Sequence, residues 1–133
     1  MCRFCVTLSV QMKVHHIRPE SAHPGGSENF VGEVRAQPIV VGAADGVDII
    51  LVRFSPGART YLHAHHVPQV LHCIEGRGVL ATETERNEVG PGDVVHIPPG
   101  EMHWHGAAGT EEFVHLSIRP PGDTTWTKID PLA

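Results

Sequence analysis

From residue 47 onward the chain alternates short apolar runs with Gly, Pro or charged punctuation: VDIILVRF, then SPG, ARTYLHAH, then HVP, QVLHCIEG, RGVLATET, ERNE, GDVVHIPP, GE, MHWHGAA and EEFVHLSI. Each run is a strand's length, carries β-branched residues and ends at turn formers. No window keeps the i, i+3, i+4 spacing of a helix over the length a helix requires. The pattern therefore predicts about seven or eight strands in an all-β sandwich or small barrel.

Upstream the pattern weakens. HHIRPESAHPGGSENF is rich in turn formers, and PIVVG at 38–42 is the first convincing apolar run after it. Residues 12–46 accordingly read as an N-terminal arm with an edge strand, 47–120 as the barrel and 121–133 as a C-terminal tail. Residues 1–11, MCRFCVTLSVQ, read as a disordered extension or a start-site artefact, because Met12 is an equally good start. The run VDIILVRF is apolar on both alternating faces, so one face belongs to the core and the other needs cover from the arm or a second subunit. A homodimer is expected, with the strand at 38–42 pairing across the interface to blunt an edge.

Composition narrows the function classes. At 133 residues the chain is one domain, and its 10 basic and 15 acidic residues give a net charge of -5 without a basic run. A nucleic-acid partner, which calls for a basic face, is not expected. No stretch is long and apolar enough to span a membrane, so no membrane partner is expected. Three cysteines, Cys2, Cys5 and Cys73, form no disulfide framework and point to a reducing, cytoplasmic setting. The Cys2–Cys5 CxxC has no second pair and no strand-then-helix context, which argues against a zinc or redox role.

The compositional outlier is histidine, at 11 residues. Residues two apart in a strand share a face, so His63 and His65 point together and His66 points away. After the Val67–Pro68 turn, Gln69 opens the next strand with Leu71 and Cys73 on its face and His72 on the other. A second HxH, His103 and His105, shares a face with Trp104 opposite, and His115 lies on the side of Phe113 and Ser117. His15, His16, His23, His66, His72 and His96 read as surface or hydrogen-bonded strand residues. Imidazoles combined with one oxygen donor and open positions suit a catalytic divalent metal, whereas structural zinc prefers a closed set of four, often with Cys.

Two glycine-framed segments carry a resemblance. Gly57, five residues, His63, one residue, His65, three residues, Gln69, six residues, Gly76 resembles the first motif of the cupin superfamily. Gly92, five residues, Pro98, one residue, Gly100, two residues, His103 resembles the second. The likeness spans about residues 47–119 and implies a β-barrel inside a cupin jelly roll (a double-stranded β-helix), with a metal in the barrel mouth. By position it implies that His63, His65 and His103 are metal ligands, and Gln69 stands where the family usually has Glu. Ala107 replaces the Asn that ends the second motif. A neutral amide leaves more of the ion's charge uncompensated, which weakens binding and strengthens the Lewis acid.

More narrowly, FSPGART, Gln69, GEMHWHGA and FVHLSI resemble the small single-domain cupins of the carboxymuconolactone-decarboxylase-associated type. That group includes manganese-dependent hydroxynitrile lyases with three His and one Gln as ligands, and relatives with oxygenase-like activity. The resemblance implies one divalent transition metal per chain, manganese or iron first, with zinc, nickel or copper as alternatives. It implies catalytic roles for His105 and His115, with pKa near neutrality for moving a proton. Arg119 stands where the lyase-type proteins carry a neutral polar residue. Arg119, Trp104 and Phe54 are expected to bind a small-molecule substrate. The expected chemistry is that of a hydroxynitrile lyase; the alternatives are an iron or manganese oxygenase, and a cupin that binds a small ligand without catalysis.

Overall fold

The structure is a computed structural model that describes residues 11–42 and 46–133. The Cys2–Cys5 pair and all but the last residue of the 1–11 segment lie outside the described residues. Strands dominate what is described: β1 (His23–Pro24), β2 (Phe30–Val31), β3 (Val34–Val40), β4 (Asp48–Phe54), β5 (Arg59–Thr60), β6 (His63–His65) and β7 (Gln69–Gly76). They continue as β8 (Gly78–Ala81), β9 (Arg86–Val89), β10 (Val94–Ile97), β11 (Trp104–Ala107), β12 (Phe113–Arg119) and β13 (Thr124–Trp126). A six-stranded sheet runs β1-β3-β4-β12-β7-β10, a five-stranded sheet runs β2-β5-β11-β8-β9, and β13 pairs with β6.

Period-two alternation explains the core. Val52 and Phe54 of β4, Leu71 and Cys73 of β7, and Phe113 of β12 turn inward and bury together with Val34, Leu80, Val89 and Ile97. Phe54 and Phe113 are fully buried and stack at 6.0 Å. Cys73 is a free thiol in this core, and burial pushes it up to about 11, so it is an inert apolar filler. Close approaches fix two glycines: a Cβ on Gly76 (φ 74°) would strike the backbone of Glu112, and one on Gly78 would meet the Phe113 ring.

The fold departs from the strand pattern in four places. Within the segment read as an arm, residues 23–40 are woven into both sheets: β3 pairs along β4 within the same chain, β2 pairs with β5, and Val34 is buried. Arg35, Gln37 and Pro38 dilute the apolar alternation that would have revealed β3. Pro38 is tolerated because β1 reaches only Arg35 and Ala36, leaving Pro38 without a ladder partner on that side. ARTYLHAH splits at Tyr61–Leu62, because its first half pairs with β11 and β2 and its second half with β13. ERNE, read as punctuation, supplies most of β9, an edge strand whose first three residues are exposed and polar, as edges tend to be.

The fourth departure is the tail. Residues 124–126 add β13, and Arg59 Nε and Nη2 donate to the two carboxylate oxygens of Asp130 at 2.8 and 2.6 Å. That pair holds Asp130 below the usual carboxylate range. The C-terminal segment is thus fastened over the end of the barrel where the imidazoles gather.

Candidate metal centre

Backbone pairing brings the two HxH segments together. His63 N donates to His103 O at 3.0 Å and His103 N donates to His63 O at 2.8 Å, so rings forty residues apart in sequence stand 4.3 Å apart. His65 follows on the same face of β6, its ring 5.1 Å from that of His63 and 5.7 Å from that of His103. His105 continues the second segment 5.3 Å from His63. His115 reaches His105 from β12, where a register shift against β7 between Val114 and His115 bends the strand beside it. His66 and His72 point to solvent, His66 onto the Thr125 hydroxyl.

The hydrogen bonds set the direction of each ring. His63 Nδ1 meets Tyr61 O at 2.9 Å, His65 Nδ1 meets Thr124 Oγ1 at 2.8 Å, and His103 Nδ1 meets Glu101 O at 2.8 Å. With Nδ1–H donated outward to a carbonyl, the lone pair of His63 and of His103 sits on Nε2, the tautomer that binds a cation. Nε2 of His65, His103 and His105, Nδ1 of His115 and Oε1 of Gln69 are buried without a partner. Gln69 Nε2 donates to Ser117 Oγ at 2.9 Å, which leaves the amide oxygen as the group turned to the site.

His63, His103 and His105 offer nitrogens that all lie within 4.8 Å of one another, a spacing that could hold a metal ion. His63 and His103 are common to this trio and to the residues matched by the motif. His65 and Gln69 border the trio, and each contributes an unpartnered donor to the same hollow. Neutral nitrogens and an amide oxygen form a donor set that suits divalent transition metals.

Burial dominates the electrostatics. Desolvation lowers His63 to about 3, with His103 adding repulsion, and lowers His65 to about 4, with Arg119 adding to it. Desolvation likewise lowers His103, and takes His105 well below the ordinary value with His115 contributing. His115 falls to about 4 by desolvation, its ring 5.5 Å from both Phe54 and Phe113. The near-neutral pKa expected of His105 and His115 is therefore corrected: aromatic packing keeps both firmly neutral. His115 Nε2 and His105 Nδ1 share a hydrogen bond of 3.1 Å.

A cavity of about 170 Å³ opens onto this cluster, lined by His63, His65, Gln69, His105, His115 and Arg119 and walled by Phe30, Ile50, Val52 and Trp126 among others. Arg119, half-buried, is part of this lining. Trp104 and Phe54 do not line it. Trp104 packs on the opposite face against Val79 and Ala81, as strand parity requires, and Phe54 lies behind the imidazoles in the core. The substrate contact expected of these two is corrected accordingly. The sequence reading passed over Thr124, which fixes His65, and Trp126, whose ring stacks on His63 at 4.3 Å. The signal lay in DTTWT, a β-branched and aromatic run hidden in a segment read as a tail. A separate hollow of about 100 Å³ between β8, β9 and β10 touches His103 and none of the imidazoles that line the larger cavity.

Residues 50–119 match the cupin domain family. The chain belongs to the cupin family. The (R)-mandelonitrile lyase of Granulicella tundricola is 37% identical to this cupin over 117 residues, 81% of this chain and 84% of that one. A cupin-like protein of Thermotoga maritima shares its fold at a TM-score of 0.73 and 35% identity, over 78% of this cupin and 83% of that chain. A polyketide cyclase of Streptomyces resistomycificus matches at a TM-score of 0.72 over 91% of this cupin and 89% of that chain; at 18% identity it shares the fold alone. The expected all-β cupin jelly roll is borne out. No helix among the described residues is long and apolar enough to cross a membrane.

Proposed function

We propose that this cupin is a metal-dependent enzyme acting on a small oxygen-bearing organic substrate by the Lewis-acid chemistry of a hydroxynitrile lyase. One observation carries the reading: Nε2 of His65 and Oε1 of Gln69 are buried and unpartnered on one cavity, and Nε2 of His103, likewise buried and unpartnered, belongs to a ring 4.3 Å from that of His63 in the same lining. Each buried polar atom left without a partner costs about 1–3 kcal/mol, and a shared cation removes that cost for all of them. In this reading His63, His65, Gln69 and His103 are the ligands. His63, His65 and His103 each have Nδ1 fixed from outside by an oxygen, as ligating imidazoles generally do. The metal supplies polarisation of a substrate hydroxyl or carbonyl oxygen, and manganese(II) or iron(II) suits the neutral donor set.

The chain's own residues supply the rest. His105 Nε2 is unpartnered and free to take a proton, and the bond from Nδ1 to His115 lets the pair share a charge that burial otherwise opposes. Phe54 and Phe113 exclude water from that pair. Phe30, Ile50, Val52 and Trp126 give the substrate an apolar wall. Likeness to an (R)-mandelonitrile lyase supports a cyanohydrin as substrate. The same donor set also suits an iron or manganese oxygenase.

Metal analysis should find about one transition-metal ion per chain. His63→Ala and His65→Ala should lose the ion, while His105→Ala keeps it and loses turnover. Equal metal loss in His105→Ala with retention in His65→Ala would move the fourth position from His65 to His105. Cyanide release from mandelonitrile, measured beside oxygen uptake on catechol-like substrates, separates lyase from oxygenase. A loaded protein silent in both would be a binding module.

We also propose a homodimer. Ile49, Val70, Leu116 and Ile118 stay half-exposed on the outer face of the six-stranded sheet, an apolar row that a second copy would cover. A monomeric mass by light scattering would refute it.

A further inference from the structure

The residues lining the cavity include five that could carry positive charge, His63, His65, His105, His115 and Arg119, and no Asp or Glu. Arg119 is the one residue of that lining whose charge is permanent, since a guanidinium is not deprotonated in proteins. Among the described residues no carboxylate lies within ion-pairing distance of it. Its guanidinium makes one hydrogen bond there, from Nη1 to Gly122 O at 3.1 Å, which anchors one arm and leaves the Nε–Nη2 edge without a protein partner.

Position strengthens the point. Phe113, His115, Ser117 and Arg119 alternate along one face of β12, from fully buried Phe113 and His115, through Ser117, to half-buried Arg119. Arg119 is therefore the outermost rung of the ladder that carries the His115 relay and the Ser117 hydroxyl holding Gln69. Arg119 lines the same cavity as His63 and His65 and is near enough to act on both electrostatically, so a small molecule can touch the imidazole cluster and the guanidinium together. A free guanidinium edge matches a carboxylate through two parallel hydrogen bonds, in a way a neutral nitrile or amide cannot.

We propose that the cavity selects substrates bearing a carboxylate, with the acid group on Arg119, an oxygen on the neighbouring carbon turned to the imidazoles, and an apolar or aryl group against Phe30 and Trp126. The ligand class is a small 2-hydroxy or 2-oxo acid, taken in addition to the neutral cyanohydrin of the proposed function, whose hydroxyl would face the same imidazoles. This rests on the reading of the same cavity as the substrate site, and it does not require the metal.

The test compares mandelate with mandelamide, its neutral counterpart, by calorimetric titration of the metal-loaded and the EDTA-treated protein. Mandelate should bind at least about tenfold more tightly than mandelamide in both forms, the size of one charge-assisted paired contact. Arg119→Gln should bring the ratio close to one with metal content unchanged, and Arg119→Lys should leave an intermediate ratio. Equal binding of the two compounds to the native protein would overturn the proposal. So would a preference that survives Arg119→Gln, since it would arise elsewhere. If the protein holds no metal yet shows the Arg119-dependent preference, the carboxylate site stands and the metal-dependent reading falls.

Discussion

Acidification of the metal-free protein should unfold it by charging buried imidazoles. His115 is fully buried between Phe54 and Phe113 and titrates at about 4 in the fold, against an ordinary value of 6.5. Between those two values the unfolded chain binds the proton and the folded chain does not. Stability is therefore intact above 6.5, falls as pH falls, and the loss is complete only below about 4. For His115 alone, moving from about pH 7.5 to about pH 5 removes about 2 kcal/mol. Because the folded cluster stays unprotonated across that interval, His63 and His65, at about 3 and about 4, each add a loss of the same order. Together they take a large share of the roughly 5–15 kcal/mol that holds a domain folded. Urea unfolding of EDTA-treated protein across this range would show the fall as a lower midpoint at constant slope. A divalent ion, which binds only neutral imidazole, should move the acid transition to lower pH. A metal-free midpoint flat down to about pH 5 would refute the argument, because it would mean these imidazoles titrate as they do in water.

Two substitutions separate the site from its scaffold. Thr124→Val removes the oxygen that fixes His65 Nδ1 at 2.8 Å and should weaken metal affinity about 10- to 100-fold with little change in melting temperature; unchanged affinity by metal competition would mean the hydroxyl plays no part. Gly78→Ala places a methyl group 2.5 Å from the Phe113 ring and should cost about 1–3 kcal/mol in denaturant unfolding, whereas a wild-type midpoint would contradict the packing.

Much of this protein is legible in its sequence because the information is local. Strand parity selects His63 and His65 over His66, turns Gln69 inward and His72 outward, and assigns Trp104 to the face opposite His103 and His105. Glycine-framed spacing marks both segments and the family. The strand QVLHCIEG is realised residue for residue as β7. The expectation that Trp104 would touch substrate disregarded the same parity rule, and the structure holds to the rule.

What only the tertiary structure decided is non-local. Backbone pairing of His63 with His103 closes the centre, and no spacing within either segment states which end of one meets which end of the other. Thr124 and Trp126 reach the site because the Arg59–Asp130 pair and β13 carry the tail back across the barrel, a contact spanning 71 residues for the ion pair. The depth of burial, and with it the neutrality of His105 and His115, comes from Phe54 and Phe113 on separate strands. A sequence fixes which side of a strand a residue faces, because the backbone repeats every two residues. What the side chain meets there depends on strand order and loop closure, which are settled only when the whole sheet assembles.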